Sequence, residues 1–438
     1  MALTDTIYAL SSGGLPSGVA VVRISGRRTQ PVLSALCGDV PTPRIAALKS
    51  IRTRNEDVID QGLILFFPSP NSFTGEDVAE LQVHGGKAVV DAILTELAGL
   101  GCRHAEAGEF SRRAFQNGKL DLVEIEGLAD LISAETEMQR RLAIEHSSGH
   151  LSSLYESWAR RLTHARAMIE AELDFADEDD VPGSVAETIW ADMRRLEREI
   201  SDHLDGAPIA EIIRDGLNVV IAGAPNAGKS SLLNALAKRD VAIVTEIAGT
   251  TRDVLSVDLS LAGFNIKLHD TAGLRETEDL VEREGIRRAR LALENADLVL
   301  FLADEPQAMA NRMSSLSPVV LVGTKIDSNP HLWDKANADV LISARTGEGM
   351  DALVERIADH LPKLTSASSF SLPSRRRHVD CLREAGKGIS SSLAASNLGL
   401  DIQAEYLRIA GEALGRITGR VDVEDLLSVI FSEFCIGK

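Results

Sequence analysis

Gly223-Ala224-Pro225-Asn226-Ala227-Gly228-Lys229-Ser230 stands between an apolar run, Leu217-Asn218-Val219-Val220-Ile221-Ala222, and the segment Ser231-Leu232-Leu233-Asn234-Ala235-Leu236. Strand, glycine-rich turn and helix in that order are the setting of a phosphate-binding P-loop. The glycines let the backbone turn its N–H groups inward around phosphates, and the helix N-terminus adds its positive end. Lys229 neutralises phosphate charge, and the Ser230 hydroxyl is suited to Mg2+.

Working outward, Asp270-Thr271-Ala272-Gly273 follows a strand-like run, so Asp270 can reach Mg2+ and the Gly273 N–H can meet a γ-phosphate. Thr324-Lys325-Ile326-Asp327 follows another such run. An aspartate there accepts hydrogen bonds from guanine N1–H and the exocyclic amine, an arrangement adenine does not offer, so GTP is the expected substrate. Ser343-Ala344-Arg345 fits the loop that touches the guanine carbonyl.

Two positions depart from the usual pattern. Thr324 stands where the base-reading motif normally begins with asparagine, and its hydroxyl replaces only part of the amide's hydrogen bonding. Weaker nucleotide affinity with an unchanged base is the expectation. Leu274 stands where Ras-like proteins carry a water-orienting glutamine, and leucine cannot hold a water by hydrogen bond. Arg275, Glu276 and Glu282 are the nearby candidates for that task, and spacing does not choose among them.

The chain has 438 residues, room for roughly two to four domains. With 44% hydrophobic and 25% charged residues it reads as a soluble globular protein. The N-terminus lacks the basic-then-apolar order of a secretory signal, and no apolar run approaches the roughly 20 residues that span a bilayer. A cytoplasmic location without membrane contact is therefore expected. Cys37, Cys102, Cys381 and Cys435 show no paired metal spacing. A net charge of −19 argues against indiscriminate coating of nucleic acid, while leaving room for a local basic face; the run Arg375-Arg376-Arg377-His378 reads equally as such a face or as a solvated helix start.

The pattern along the chain predicts a multidomain fold of α/β and α parts. Residues 1–119 read as a mixed α/β domain, with strands at 18–26 and 63–67 and a helix at 88–100. The polar stretch 70–77, continued by Glu80-Leu81-Gln82-Val83-His84-Gly85-Gly86, reads as loop. Residues 120–214 read as helical, from the spacing of Leu122, Ile125, Leu128 and Ile132 and of Trp190, Met193, Leu196, Ile200 and Leu204. The acidic run 172–180 lacks the sixth-position glycine of a calcium loop and reads as a solvated connection, with Ser184 and Glu187 as a capping box beyond it. Residues 215–364 alternate strands and helices as a doubly wound, mostly parallel sheet would, with one hairpin at Ala262-Gly263. A serine-rich stretch, 364–373, reads as a connector, and helical periodicity returns from Arg375 to Lys438, ending with Leu426, Ile430 and Phe434 at four-residue spacing, so 365–438 is the second part of the helical domain. A nucleotide domain inserted into one helical domain explains this order most economically.

Several stretches taken together resemble the MnmE (also called TrmE) family of tRNA-modification GTPases over the whole length. They are Asp5-Thr6-Ile7, Val22-Arg23-Ile24-Ser25-Gly26, 71–77, Gly85-Gly86, Gly108-Glu109-Phe110-Ser111, Asn226 within the P-loop, Thr245-Glu246-Ile247-Ala248-Gly249-Thr250-Thr251-Arg252-Asp253, and the terminal Phe434-Cys435-Ile436-Gly437-Lys438. The resemblance implies an N-terminal folate-binding domain that forms a homodimer, a helical domain and an inserted Ras-like P-loop G domain. It implies GTP hydrolysis activated by K+ between two G domains.

The resemblance further implies that K+ is held by Asn226, Thr245, Ile247 and Thr250, that Mg2+ is held by Ser230 and Thr251, and that Glu282 orients the attacking water, with Lys229 and Arg275 as helpers. Nucleotide contacts fall on 226–231, 245–251, 270–273, Thr324, Lys325, Asp327 and Ser343-Ala344-Arg345. A 5-formyl-tetrahydrofolate-type donor is matched by Arg23, Glu80, Lys119 and Lys438, with Cys435 beside them in an open role. The implied partner is the FAD- and NADH-using protein MnmG, in a heterotetramer-type complex. The joint product is an aminomethyl or carboxymethylaminomethyl group at C5 of the wobble uridine of certain tRNAs. The rival from another class, a regulatory GTPase of ribosome assembly, predicts a C-terminal RNA-binding module, and the sequence carries no evident one.

Overall fold

The computed structural model describes residues 5–174, 185–238, 242–243, 256–270, 293–306, 317–328, 330–333, 338–363, 370–421, 430 and 437. The chain divides into two compact units, one built from Met1–Ala129, His146–Arg198 and Asp380–Lys438, the other from Asp130–Glu145 and Glu199–Val379.

The first unit opens with β1 (Ile7–Leu10), β2 (Ser17–Ser25), α1 (Thr29–Cys37), β3 (Ala47–Arg52), β4 (Val58–Phe67), β5 (Val78–Gly85), α2 (Lys87–Gly99), β6 (Arg103–His104) and α3 (Glu109–Gln116). The strands form one sheet in the order β3-β4-β5-β2-β1-β6, antiparallel except for the parallel pair β1 and β6. Alternation drives the packing: Val22 and Ile24 of β2, Ile64 and Phe66 of β4, and Leu81 and Val83 of β5 are buried with Leu33 and Leu36 of α1 and Ile93 and Leu97 of α2. Residues 80–85, expected as loop, are instead the end of β5, in the interior of the sheet. Leu81 and Val83 enter the core, while Glu80, Gln82 and His84 alternate with them and fall on the opposite face.

Helices follow: α4 (Leu122–Ser133), α5 (Glu137–Ser147), α6 (His150–Asp174), α7 (Val185–Asp205) and α8 (Ala207–Asp215). Along α6, Leu151, Tyr155, Trp158, Leu162, Ala165 and Ile169 are buried at alternating four- and three-residue steps, the stripe a helix needs to pack along a neighbour. The stripe read on α4 ends early, since Ile132 is 44% exposed. On α7, Met193, Leu196 and Ile200 are buried as their spacing predicts.

The second unit holds β7 (Leu217–Gly223), α9 (Lys229–Ala237), β8 (Ala242–Ile243), β9 (Ser256–Leu261), β10 (Phe264–Asp270), β11 (Leu298–Ala303), β12 (Val319–Gly323), β13 (Val340–Leu341) and α10 (Met350–Ala358). Their order is β13-β12-β11-β7-β10-β9-β8, with the five from β13 to β10 parallel. Every residue of β11 is buried, as expected of a strand covered on both faces. Ala262 (φ 50°) and Gly263 (φ 83°) join β9 to β10, and two positive φ values in a two-residue link match the twist of a hairpin.

In the remaining segment, α11 (Arg376–Ala394) and α12 (Leu400–Thr418) complete the described helices. Helix α12 packs along α6. Ile430 is buried against Leu122 and Ile125. Of the acidic connection read at 172–180, residues 172–174 instead end α6, and residues 175–184 with the Ser184 cap, residues 364–369 of the connector, and Leu426 and Phe434 lie outside the described residues. Among the described residues no helix is long and apolar enough to cross a membrane.

Candidate functional site

At the carboxyl end of β7 the backbone is forced into left-handed or otherwise unusual torsions three times. Gly223 has φ 147°, and a Cβ there would lie 2.3 Å from the Leu302 carbonyl oxygen, so only glycine lets the loop leave the sheet beside β11. Asn226 has φ 69°, a left-handed torsion that asparagine tolerates better than most side chains. Gly228, at φ 94°, precedes α9. The loop therefore closes on itself directly before a helix N-terminus, the geometry that presents N–H groups to an anion. Lys229 begins α9 and is buried, its Nζ donating to the carbonyls of Gly223 at 2.9 Å and Ala224 at 2.8 Å. Its ammonium is thus held across the mouth of the loop. Ser230 and Ser231 follow in the first turn of α9, both exposed, and Ala227 is buried beneath.

The loop after β12 is tied to this one. Thr324 is buried, its N–H donates to the Ala303 carbonyl at 2.8 Å, and its hydroxyl donates to the Ala227 carbonyl at 2.8 Å. Lys325 adopts φ 56°, and its Nζ pairs with Asp304 Oδ2 at 2.9 Å. Asp327 accepts from the Ser343 hydroxyl at 2.6 Å and from Arg345 Nε at 2.8 Å. Ser343, then Arg345, hold the Asp327 carboxyl below its ordinary range, so it is anionic and acceptor-only. Ser343 is fully buried, while Arg345 is exposed. A recess of about 390 Å³ lies alongside, lined by Ser231, Asn234, Lys238, Ala344, Arg345 and Thr346.

These residues converge because the parallel strands end at one edge. Gly223 pairs with Leu302, Ala303 with Gly323, Gly323 with Leu341, and Asp270, the last residue of β10, with Ile221. The crevice at the carboxyl ends of such a sheet is where ligands of this architecture lie. Thr245, Glu246, Ile247, Ala248, Gly249, Thr250 and Thr251, with Thr271, Ala272, Gly273, Leu274, Arg275, Glu276 and Glu282, lie outside the described residues. Among the described residues, no group of three or more His, Cys, Asp or Glu side chains could hold a metal ion.

In the first unit, Arg23 on β2 and Glu80 on β5 stand directly opposite each other, with Arg23 Nη2 donating to Glu80 Oε1 at 2.9 Å. The Arg23 guanidinium also lies 5.3 Å from the Phe73 ring and 5.7 Å from the Phe110 ring, a cation held between aromatic faces. Lys119 is exposed, and its stem passes Gly75, where a Cβ would come within 3.2 Å of Lys119 Cγ. The 71–77 segment beside it is pinned from below. Thr74 and Ser25 share a 2.7 Å hydrogen bond, Ser25 donates to Glu76 at 2.7 Å, and Arg113 reaches Glu76 at 3.1 Å, Glu109 at 2.9 Å and Asp5 at 2.8 Å. Ser25 and Thr74 lie in stretches that carry the family resemblance without a role attached to them, and Arg113 is not among the residues read from the sequence. Cys435 and Lys438 lie outside the described residues.

A mainly parallel, doubly wound sheet with a P-loop at the end of β7 places the second unit in the class of P-loop nucleotide-binding folds. Residues 6–119 match the family model of the GTP-binding protein TrmE N-terminus, and residues 122–435 match that of the MnmE helical domain. The tRNA modification GTPase MnmE of Sinorhizobium medicae is 66% identical over 442 residues, covering 100% of both chains, and that of Rhizobium meliloti is 66% identical over 441 residues with the same coverage. The chain belongs to the MnmE family of tRNA modification GTPases. The G domain of the T. maritima FeoB iron transporter aligns with 28% identity over 33% of this chain and 99% of that one, with a TM-score of 0.26.

Proposed function

We propose that the second unit hydrolyses GTP and that the first binds a 5-formyl-tetrahydrofolate-type donor, the two serving modification of the wobble uridine of certain tRNAs in the cytoplasm. In this reading the chain acts as a homodimer and, together with an FAD- and NADH-using partner of the MnmG type, installs the aminomethyl or carboxymethylaminomethyl group at C5. The parts are an N-terminal folate domain at 1–119, a helical domain from 120–214 and 365–438, and a G domain at 215–364.

The observation that carries the reading is the acceptor-only Asp327 carboxylate, oriented by buried Ser343 and tied to the P-loop through Thr324. Guanine N1–H and its exocyclic amine would replace Arg345 on that carboxylate. The Arg345 side chain is exposed, so the exchange costs little. Lys229, held over the loop by two carbonyls, turns to the β- and γ-phosphate oxygens when they arrive. When bound, Mg2+ beside Ser230 and Thr251 and K+ beside Asn226, Thr245, Ile247 and Thr250 supply positive charge to the phosphates. The exposed Ser230 hydroxyl at the start of α9 and the oxygen-bearing donor set suit these hard cations. Glu282 orients the water that attacks the γ-phosphorus, with Arg275 assisting, and GDP and phosphate leave.

At the folate face, Glu80 is suited to accept from a pterin's N–H groups, and Arg23, Lys119 and Lys438 are suited to its anionic tail. The test is twofold: GTP turnover by the full chain in K+ and in Na+, and the wobble-nucleoside profile of tRNA from cells lacking it. Equal turnover in both salts would refute the K+ role, and an unchanged nucleoside profile would refute the tRNA role.

A further inference from the structure

Helix α5 is held at the starting ends of two strands whose other ends carry the nucleotide site. The Met138 N–H donates to the Gly263 carbonyl at 3.2 Å, and a Cβ at Gly263 would lie 3.4 Å from Met138 Cγ, so the methionine bears on the tip of the β9–β10 hairpin. This N–H lies in the first turn of α5, where a helix offers no acceptor of its own, and the hairpin carbonyl fills that role. One position on, Gln139 Nε2 donates at 3.0 Å to the carbonyl of Arg214, in the last turn of α8 just ahead of β7. Leu142 is buried in the same core as Leu217, Phe264 and Ile266. Strands β7 and β10 are parallel neighbours, Leu217 opposite Ile266 and Ile221 opposite Asp270, and they run on into the P-loop and Asp270. Helix α5 therefore bridges the amino ends of the two strands whose carboxyl ends lead into the nucleotide site. Beside the tip, Asn265 is 3% exposed and its Oδ1 meets no donor, a polar group left unmet in this position of the strand.

We propose that α5 is the receiver of the nucleotide state, with Met138 as its point of contact. Strand β10 spans roughly 20 Å from Phe264 to Asp270, at about 3.3 Å per residue, and is stiffened by pairing on both sides. A displacement of β10 against β7 at the phosphate end thus reappears between the Gly263 tip and the Arg214 anchor, and α5, fastened to both, moves with it. The helix continues unbroken to Ser147, and its far end is packed too tightly to absorb the motion: a Cβ at Gly127 of α4 would lie 2.5 Å from the Ser147 N and 2.7 Å from His146 Cβ. Residues 130–145 belong to the nucleotide-binding unit and residue 146 onward to the first, so the signal leaves along the helix itself. The proposal rests on the reading of the second unit as the GTP-binding one.

The test is amide hydrogen exchange in the full chain, resolved by residue with mass spectrometry, with GDP or guanylyl imidodiphosphate bound in Mg2+ and K+. The Met138 N–H reports the contact, and the amides of 143–147 report the far end of α5. Both should exchange at rates that differ at least about fivefold between the two nucleotides, the usual size of a coupling between sites. Met138→Ala keeps the N–H and trims the contact, so the difference at 143–147 should fall below about twofold while GDP affinity stays within about twofold of the wild type, and Met138→Leu, which refills the contact, should restore it. Equal rates at Met138 for both nucleotides in the wild type would overturn the coupling without any variant. A difference at 143–147 that survives Met138→Ala undiminished would overturn the hairpin contact as its route. Titration of the same preparations with fluorescent GDP separates these results from a failure of the GTP reading: a chain that binds neither nucleotide has no signal to receive, and both fall together.

Discussion

The Thr324 hydroxyl donates to the carbonyl of Ala227 at 2.8 Å, joining the loop after β12 to the P-loop. The threonine that replaces the customary asparagine therefore still spans the two loops, with the Ala303 carbonyl at 3.2 Å as a second acceptor. Thr324→Val keeps the shape and removes the hydroxyl donor, so the Ala227 carbonyl loses its tie to the loop after β12, while the Ala303 carbonyl keeps the Thr324 N–H. One such bond has a net worth of about 1 kcal/mol, so GDP affinity should fall about fivefold, while Thr324→Ser should bind as the wild type does. A titration with fluorescent GDP decides the matter. Equal affinity for the valine variant would mean that the tie does not set the position of the base-reading loop.

Asp327 reads the base only if its carboxylate is the acceptor. Ser343 and Arg345 keep it anionic. Asp327→Asn turns one acceptor oxygen into a donor amide, which opposes guanine's N–H groups and suits the C2 carbonyl of xanthine. GTP affinity should drop by more than about 100-fold and XTP should become the better substrate, since a mismatch leaves polar groups unpaired on both sides. Turnover of GTP and XTP by the variant measures this directly. A variant that keeps its preference for GTP would place base recognition elsewhere.

Arg113 is 1% exposed and meets three carboxylates, Asp5, Glu76 and Glu109. Burial by itself would raise the Glu109 pKa, but hydrogen bonds from Arg103, the Glu106 N–H and Arg113 outweigh it and hold the group low. Asp5 is likewise held low, burial again being outweighed by Arg103 and Arg113. A folded-state pKa below the unfolded one gives stability that is complete above the unfolded value, 4.5 for Glu109 and 3.8 for Asp5, and is lost as pH falls through the folded value. The unfolding midpoint of the first unit should therefore decline below about pH 4. Arg113→Met should cost about 3 kcal/mol at pH 7, because it removes the buried cation that Glu76 and Glu109 share, and should flatten the acid decline. Urea unfolding across pH shows both effects; an unchanged acid limb in Arg113→Met would remove the network from the account.

What the sequence conveyed and what it withheld follow from the range of the interactions. The P-loop, the hairpin at Ala262 and Gly263, and the strands at 298, 319 and 340 rest on local torsion and apolar runs, so they are legible from neighbouring residues. Strand β5 was misread because Glu80, Gln82 and His84 dominate its appearance, although Leu81 and Val83 alternate with them. Arg113 stands beside Arg112 in a polar stretch, Glu109-Phe110-Ser111-Arg112-Arg113, with no local pattern to set it apart. Its partners Asp5 and Glu76 are 108 and 37 positions away, and nothing nearby marks it as buried.

Asn226 brings two explanations into conflict, and a substitution separates them. Its φ of 69° favours asparagine for backbone reasons alone, while the family resemblance assigns its side chain to K+. Asn226→Gly keeps the left-handed torsion and removes the amide; Asn226→Ala removes both, adding strain of about 1 kcal/mol. If the side chain holds K+, both variants should lose the excess of turnover in K+ over Na+, and the glycine variant should still bind GDP within about twofold of the wild type. If only the torsion matters, the glycine variant should keep its full response to K+ and the alanine variant alone should bind nucleotide more weakly. Steady-state turnover in the two salts, paired with GDP titration of the same preparations, distinguishes these outcomes.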